Sequence, residues 1–216
     1  MIGKGKSISH GVAALEYDLA KEINGQAVAT EIARHELYGC TGAEMVQEMK
    51  PYHIDFPNVK NNCLRFEVSP SIEESATFTD ADWAELGNDF MQRMGLANHQ
   101  YIIIRHSGTE SKKEQAHLHI LANRVSLSGE LYRDNWIGKK ATEAANAIAK
   151  ERNFVQSQDI GKVNKAEIKE AMDGVLKKMQ GFDFTKFKEE LGKRGFKVRE
   201  ARASTGKLNG YYITAR

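Results

Sequence analysis

Gln115 to Val125 reads QAHLHILANRV, an apolar run that holds His117 and His119 one residue apart. Alternate side chains of a strand share a face, so both histidines point one way while Leu118 and Ile120 point the other. Two rises of about 3.3 Å set their Cβ atoms about 7 Å apart, within reach of a single ion. Upstream, YIIIRH from Tyr101 to His106 is a β-branched run suited to a central strand. The polar stretch SGTESKKEQA joins the two, which makes them expected antiparallel neighbours across a long hairpin. Such pairing brings His106, at the end of one strand, to the start of the next, where His117 and His119 lie.

Three protein ligands with an open position describe a catalytic metal rather than a closed structural one. Singly, each histidine reads as a satisfied core or surface residue; together they favour a metal. Imidazoles suit Zn, Mn, Ni or Co, and the ring type alone does not choose among them. His99 is a poorer substitute for His106. Glu110 and Glu114, in the connecting loop, are placed to add a ligand or to hold a ligand's second ring nitrogen. Glu114 reads more simply as a solvated charge.

Away from this hairpin, helices and strands interleave without the regular alternation of a parallel sheet. SHGVAALEYDLAKE, residues 9–22, has Val12, Leu15 and Leu19 at helical spacing, with Tyr17 off that stripe. Leu64, Phe66 and Val68 share one face of a strand that Pro70 closes, and a helix starts at Thr79 or Asp80 and runs to Gly95. Three more helices are expected after Lys140, the last stopped by Gly195, and then two short strands, FKVREA and NGYYIT. The class is α+β: a central, mostly antiparallel sheet with helices packed on it. The expected division is a catalytic core over 1–160 and a helical, basic segment of the same module over 161–216.

The 216 residues are 41% hydrophobic and 28% charged, enough for a core. No apolar run is long enough for a membrane helix, so no membrane insertion is expected. Two cysteines, Cys40 and Cys63, fit a reducing, cytoplasmic setting rather than a disulfide framework. Net charge is only +2, but Lys186 to Arg216 holds nine Lys/Arg against three Glu, a basic tail that suits a polyanion. A cupin's downstream glutamate, a phosphate-binding loop, a G-x-S-x-G elbow and an H-E-x-x-H helix are all missing from the sequence.

In order, GVAALEYDLAKE, FTDADWAELGNDFMQRMG, HQYIIIRH and HLHILANRV closely resemble the relaxase/mobilisation nuclease family of conjugative and mobilisable elements. FKEELGKRGFKVREARASTGKLNGYYI is similar to that family's following segment. These are histidine–hydrophobic–histidine (HUH) endonucleases, and His117-Leu118-His119 matches the triplet. The resemblance implies an antiparallel sheet carrying the triplet, with a helical tyrosine facing it. It implies nicking of one DNA strand at a transfer origin by transesterification, leaving a tyrosine 5′-phosphate adduct and a 3′ hydroxyl. Tyr17 matches the nucleophile, with Tyr38 and Tyr52 in reserve, and His106, His117 and His119 match the metal ligands. Mg or Mn is the expected ion. The family's early acid is not at its usual place, and Glu110 is the nearest substitute, with a catalytic role.

The implied partners are single-stranded or hairpin DNA at the origin and accessory mobilisation and coupling proteins, in a bacterial cytoplasm. Asn123 and Arg124, just after the triplet, and Lys193, Arg194, Lys197, Arg199, Arg202 and Lys207 are the residues available to DNA. An ordinary strand-end cap and an ordinary basic hairpin are their plainer roles. Two rival functions share parts of this pattern: a replication-initiating HUH endonuclease and a non-catalytic nucleic-acid-binding domain.

Overall fold

The computed structural model describes residues 1–108 and 115–215. The chain divides into two compact units, Met1–Ser157 and Gln158–Arg216.

The first unit is built on a five-stranded antiparallel sheet. Its strands are β1 (Ile2–Ile8), β4 (Ala29–His35), β5 (Cys63–Ser69), β6 (His99–His106) and β7 (His117–Ser126), in the order β1-β5-β7-β6-β4. A small hairpin of β2 (Glu22–Ile23) and β3 (Gln26–Ala27) precedes β4. The expected α+β class and the antiparallel pairing of the two histidine-bearing strands hold. β7 is the centre of the sheet, so it is buried on both faces and its His-x-His triplet is held from both sides.

The two faces of the sheet have different cores. On one, Leu64, Phe66 and Val68 of β5 and Leu118, Ile120 and Ala122 of β7 join Ile103 of β6. They pack against α4 (Asp80–Arg93) through Trp83, Leu86 and Phe90, and against α5 (Ile137–Glu151) through its alanine-rich stripe. The other face carries α1 (Gly11–Leu19) and α2 (Gly42–Met49), whose Leu15, Met45 and Met49 cover Ile102, Ile104 and Leu121. A 3₁₀ turn (Lys50–His53) follows α2, and α3 (Ile72–Ser75) is a single turn after β5. Reciprocal capping boxes at Thr41/Glu44, Ser71/Glu74 and Thr79/Asp82 fix the starts of α2, α3 and α4.

β1 is not evident from hydropathy, because two of its three positions on the face toward α5, Gly3 and Gly5, are glycine. A Cβ on Gly3 would lie 2.4 Å from the Ala141 carbonyl oxygen, and one on Gly5 would lie 2.8 Å from the Phe66 ring. The glycines let α5 and Phe66 approach the backbone of β1 closely.

In the second unit, α6 (Ser157–Leu176) starts at the unit boundary and is followed by α7 (Phe184–Lys193) and the hairpin of β8 (Phe196–Arg202) and β9 (Leu208–Ala215). Val175, Phe187, Leu191 and Val198 form its core, and Tyr211 stacks on Phe184 with ring centroids 4.5 Å apart.

Candidate metal and nuclease site

The β6–β7 register pairs His106 directly with His117, and Ile104 with His119. Alternation then puts all three imidazoles on the α1 face of the sheet, with ring centroids 4.4–5.3 Å apart. One nitrogen from each lies within 4.8 Å of the others. His117 Nε2 and His119 Nε2 are 3.1 Å apart. In a tetrahedral site with bonds of about 2.1 Å, ligand nitrogens stand about 3.4 Å apart. The His117–His119 edge, at 3.1 Å, is slightly shorter than that span, and the donor set fits a cation.

The ring protons can be placed. A guanidinium only donates, so His119 Nδ1, 3.3 Å from Arg65, is the acceptor there. Its proton then sits on Nε2 and is donated to His117 Nε2, while His117 Nδ1–H donates to the Gln115 carbonyl at 3.1 Å. His106 Nε2–H donates to the Asp18 carbonyl at 2.7 Å. Burial first, then repulsion from His106, His117 and Arg65, pushes the His119 pKa down to about 2. Burial also lowers that of His106. Both rings are neutral lone-pair donors at ordinary pH, as metal ligation requires. The 3.9 Å approach of His119 Nδ1 to the Asp18 carboxylate is consequently not an ion pair.

Asp18 is the residue that the sequence reading missed. Its side chain is 2% exposed, its carboxylate takes both Nε (2.9 Å) and an Nη of Arg65, and its carbonyl accepts from His106. It thus ties the C-terminal turn of α1 to the triad. The preceding residue, Tyr17, is on the exposed side of the helix, 57% accessible. Lys21 Nζ donates to the Tyr17 hydroxyl at 2.8 Å and lies 5.0 Å from the ring centroid. Tyr38 is exposed and donates to Glu36, and Tyr52 belongs to the 3₁₀ turn.

Several expectations are corrected by burial and bonding. Asn123 was expected at DNA, but it is fully buried. Its amide donates to Met49 and Gln100, and its Oδ1 takes the Val125 N–H and a bond with His53. Alternation from His119 through Leu121 carries it under the α2 layer. Arg124, also expected at DNA, spends its guanidinium on the Tyr132 and Asn61 carbonyls and on Asp134, which makes it the strand-end cap. Arg194 of the basic tail is exposed, donates to the Ala171 carbonyl at 3.3 Å and packs on Gly174. His99 is 5% exposed and bonded to the Asn123 carbonyl, apart from the triad. Glu110 and Glu114 lie outside the described residues. Lys197 and Arg199 are exposed on β8, and Lys193, Arg202 and Lys207 are also exposed.

A family model, Relaxase: MobA/VirD2-like, nuclease domain, matches residues 17–154. That span contains Tyr17, Asp18 and the three histidines, and it covers more than half of the chain. The chain belongs to the MobA/VirD2-like relaxases. Its first unit accordingly carries a relaxase nuclease domain. Two solved structures of the conjugative relaxase TrwC in complex with oriT DNA, one metal-free and one metal-bound, are similar at a TM-score of 0.42. They share 10% and 11% identity with it, over 96% of this chain and 74% of theirs. No curated protein matches. Among the described residues, no helix is long and apolar enough to cross a membrane.

Proposed function

We propose that this relaxase nicks one DNA strand at the transfer origin of a plasmid or mobile element by transesterification, with Tyr17 as nucleophile. His106, His117 and His119 would hold a divalent cation, Mg or Mn in use. The observation that carries this reading is the convergence of three imidazoles, two of them buried and one partly so, beside a helix that Asp18 binds to them and that presents an exposed tyrosine.

A phosphodiester is anionic and repels nucleophiles; a divalent cation, when bound, neutralises its non-bridging oxygens and fixes its geometry. The chain's own residues supply the rest. Tyr17 Oη forms a bond to phosphorus as the bond from phosphorus to the 3′ oxygen breaks. The upstream fragment departs with a 3′ hydroxyl, and the 5′ phosphate of the downstream fragment stays on the tyrosine. A phenol keeps its proton at neutral pH, so that proton must leave during attack, and the departing 3′ oxygen gains one. Lys21, at 2.8 Å from Oη, is placed to stabilise the developing oxyanion. The covalent bond conserves the phosphodiester's free energy, so the strand can be rejoined.

The core over residues 1–160 would carry this chemistry, and the segment over 161–216 would add DNA contacts. In the β8–β9 ribbon, Val198 and Ile213 turn inward, which leaves Lys197 and Arg199 on the outer face with Tyr212. Arg199 is paired directly with Tyr212, which is 66% exposed. Cations with an interleaved aromatic ring suit phosphates and an unstacked base. Lys193, Arg202 and Lys207 add charge. Accessory mobilisation and coupling proteins in a bacterial cytoplasm complete the reading.

The test is incubation with Mg²⁺ or Mn²⁺ and a supercoiled plasmid bearing the cognate origin. Relaxed DNA bound covalently to protein is expected, with no adduct from Tyr17→Phe. An adduct from Tyr17→Phe would reject the nucleophile. Binding without nicking under both metals would favour a non-catalytic binder.

A further inference from the structure

We propose that β1 is a phosphate track: Lys4 and Lys6 hold backbone phosphates of single-stranded DNA next to the phosphate that is cut. This rests on the relaxase reading of the triad and adds to it a part of the site outside the matched residues 17–154.

The motif responsible is GKGKS, at the very start of the chain. Period-two alternation separates its glycines from its lysines. The glycine face is closed by α5 and by Phe66, at distances no side chain would tolerate. Both lysines are therefore committed to the other face, which is the face of the histidines. The registers set them in two rows across β5 toward the triplet strand β7, with one strand between: Lys4 beside Glu67 beside His119, and Lys6 beside Arg65 beside Leu121. A cleft of about 210 Å³ follows these rows, with Lys4, Lys6, Arg65, Glu67 and His119 in its walls. It joins His119 to the edge strand β1.

The charges in the cleft are available to an anion. Lys4 pairs with Glu67 at 2.9 Å, but both side chains are exposed, at 63% and 36%, and such pairs exchange readily. Among the described residues Lys6 has no carboxylate partner. Arg65 adds a third cation, set behind the lysines and held by Asp18. The lysine Cβ atoms stand about 7 Å apart along the strand, a span that one extended nucleotide bridges. A duplex is too wide for so short a strand edge to follow on its own, whereas a single strand can lie along it. Edge lysines also deter strand pairing between molecules; that role needs charge at the edge but no path to His119.

The experiment uses the full chain and a fluorescein-labelled 12-nucleotide oligothymidine, with binding read by anisotropy across a salt series in EDTA. Lys4→Ala/Lys6→Ala should bind about tenfold more weakly near 0.1 M salt, and its log–log salt slope should fall by about 1.4, two phosphates at about 0.7 each. Lys4→Arg/Lys6→Arg should retain wild-type affinity and slope. Unchanged affinity and slope in the alanine variant would overturn the track and leave the relaxase reading standing. So would an equal loss from Lys165→Ala/Lys169→Ala, on the exposed side of α6, because the effect would then be general charge. A wild-type chain that neither binds the oligonucleotide nor nicks an origin would sink both readings together.

Discussion

Replacing Asp18 by asparagine tests whether the buried acid after Tyr17 organises the triad or merely fills space. The substitution keeps the size and one acceptor but removes the charge that balances Arg65. Taking one partner from a buried ion pair costs about 3–5 kcal/mol. Arg65 retains 20% side-chain exposure, and asparagine still accepts one hydrogen bond, so the loss should be nearer 2–3 kcal/mol. With a urea dependence of about 2 kcal/mol/M, the unfolding midpoint drops by roughly 1 M. The buried Trp83 reports on the first unit in this assay. A second effect concerns the metal. For His117 and His119 both to offer Nε2 to a cation, the His119 proton would have to move to Nδ1. Arg65 cannot accept it there, and the Asp18 carboxylate, 3.9 Å away, can. Loss of such an outer partner weakens metal affinity by about 10–100-fold, measurable by Mn²⁺ titration calorimetry. Asp18→Leu/Arg65→Met should recover most of the stability, because an apolar pair can replace a buried ion pair, yet leave Mn²⁺ affinity low. Asp18→Asn with wild-type midpoint and wild-type Mn²⁺ affinity would refute the reasoning.

Gly3→Ala forces a Cβ to within 2.4 Å of the Ala141 carbonyl oxygen and should cost about 1–3 kcal/mol by urea unfolding. Gly161→Ala, in α6 with nothing within 4 Å, should instead gain up to about 1 kcal/mol; equal effects would contradict the close packing of β1 on α5. Burial lowers the pKa of His99, His106 and His119. Below the ordinary value of about 6.5 the unfolded chain takes up protons that these rings refuse. Metal-free stability is therefore full above pH 6.5 and falls on acidification, by as much as about 1.4 kcal/mol per pH unit per ring. Urea midpoints that stay level from pH 8 to pH 5 would refute this.

The parts of the fold that were legible in the sequence are those where one physical pattern dominates. Tyr101–Ile104 is apolar and β-branched, and the triplet alternates cleanly, so both strands and the meeting of His106 with His117 followed from period and pairing alone. β1 escaped because its inner face is glycine, which carries no hydropathy; only the packing of α5 reveals what those glycines are for. β4 escaped because, lying at the sheet edge, its exposed positions dilute the apolar signal. Asn123 and Arg124 were drawn toward DNA by their nearness to the triplet in sequence. Two more steps of the same alternation carry Asn123 under α2, so that correction was available from the strand's own period.

Asp18 shows why the site's outer layer resists a reading of motifs. An acid is sought near the ligands it serves, in the loop between His106 and His117. Here the carboxylate that reaches His119 and Arg65 comes from a helix almost 100 positions away in the chain, and it sits beside an exposed tyrosine on what looks like an ordinary amphipathic turn. Period does separate the two: Tyr17 and Asp18 are about 100° apart around the helix, enough to send one to solvent and the other beneath the sheet's histidines. One turn can therefore present the exposed tyrosine on its outer side and anchor itself to the histidines on its inner side. That arrangement ties the tyrosine's position to the same residue whose carboxylate lies 3.9 Å from His119 Nδ1 and whose carbonyl accepts from His106. On the proposed reading, a single residue, Asp18, serves both the placement of the Tyr17 oxygen and the ring protons of the histidines.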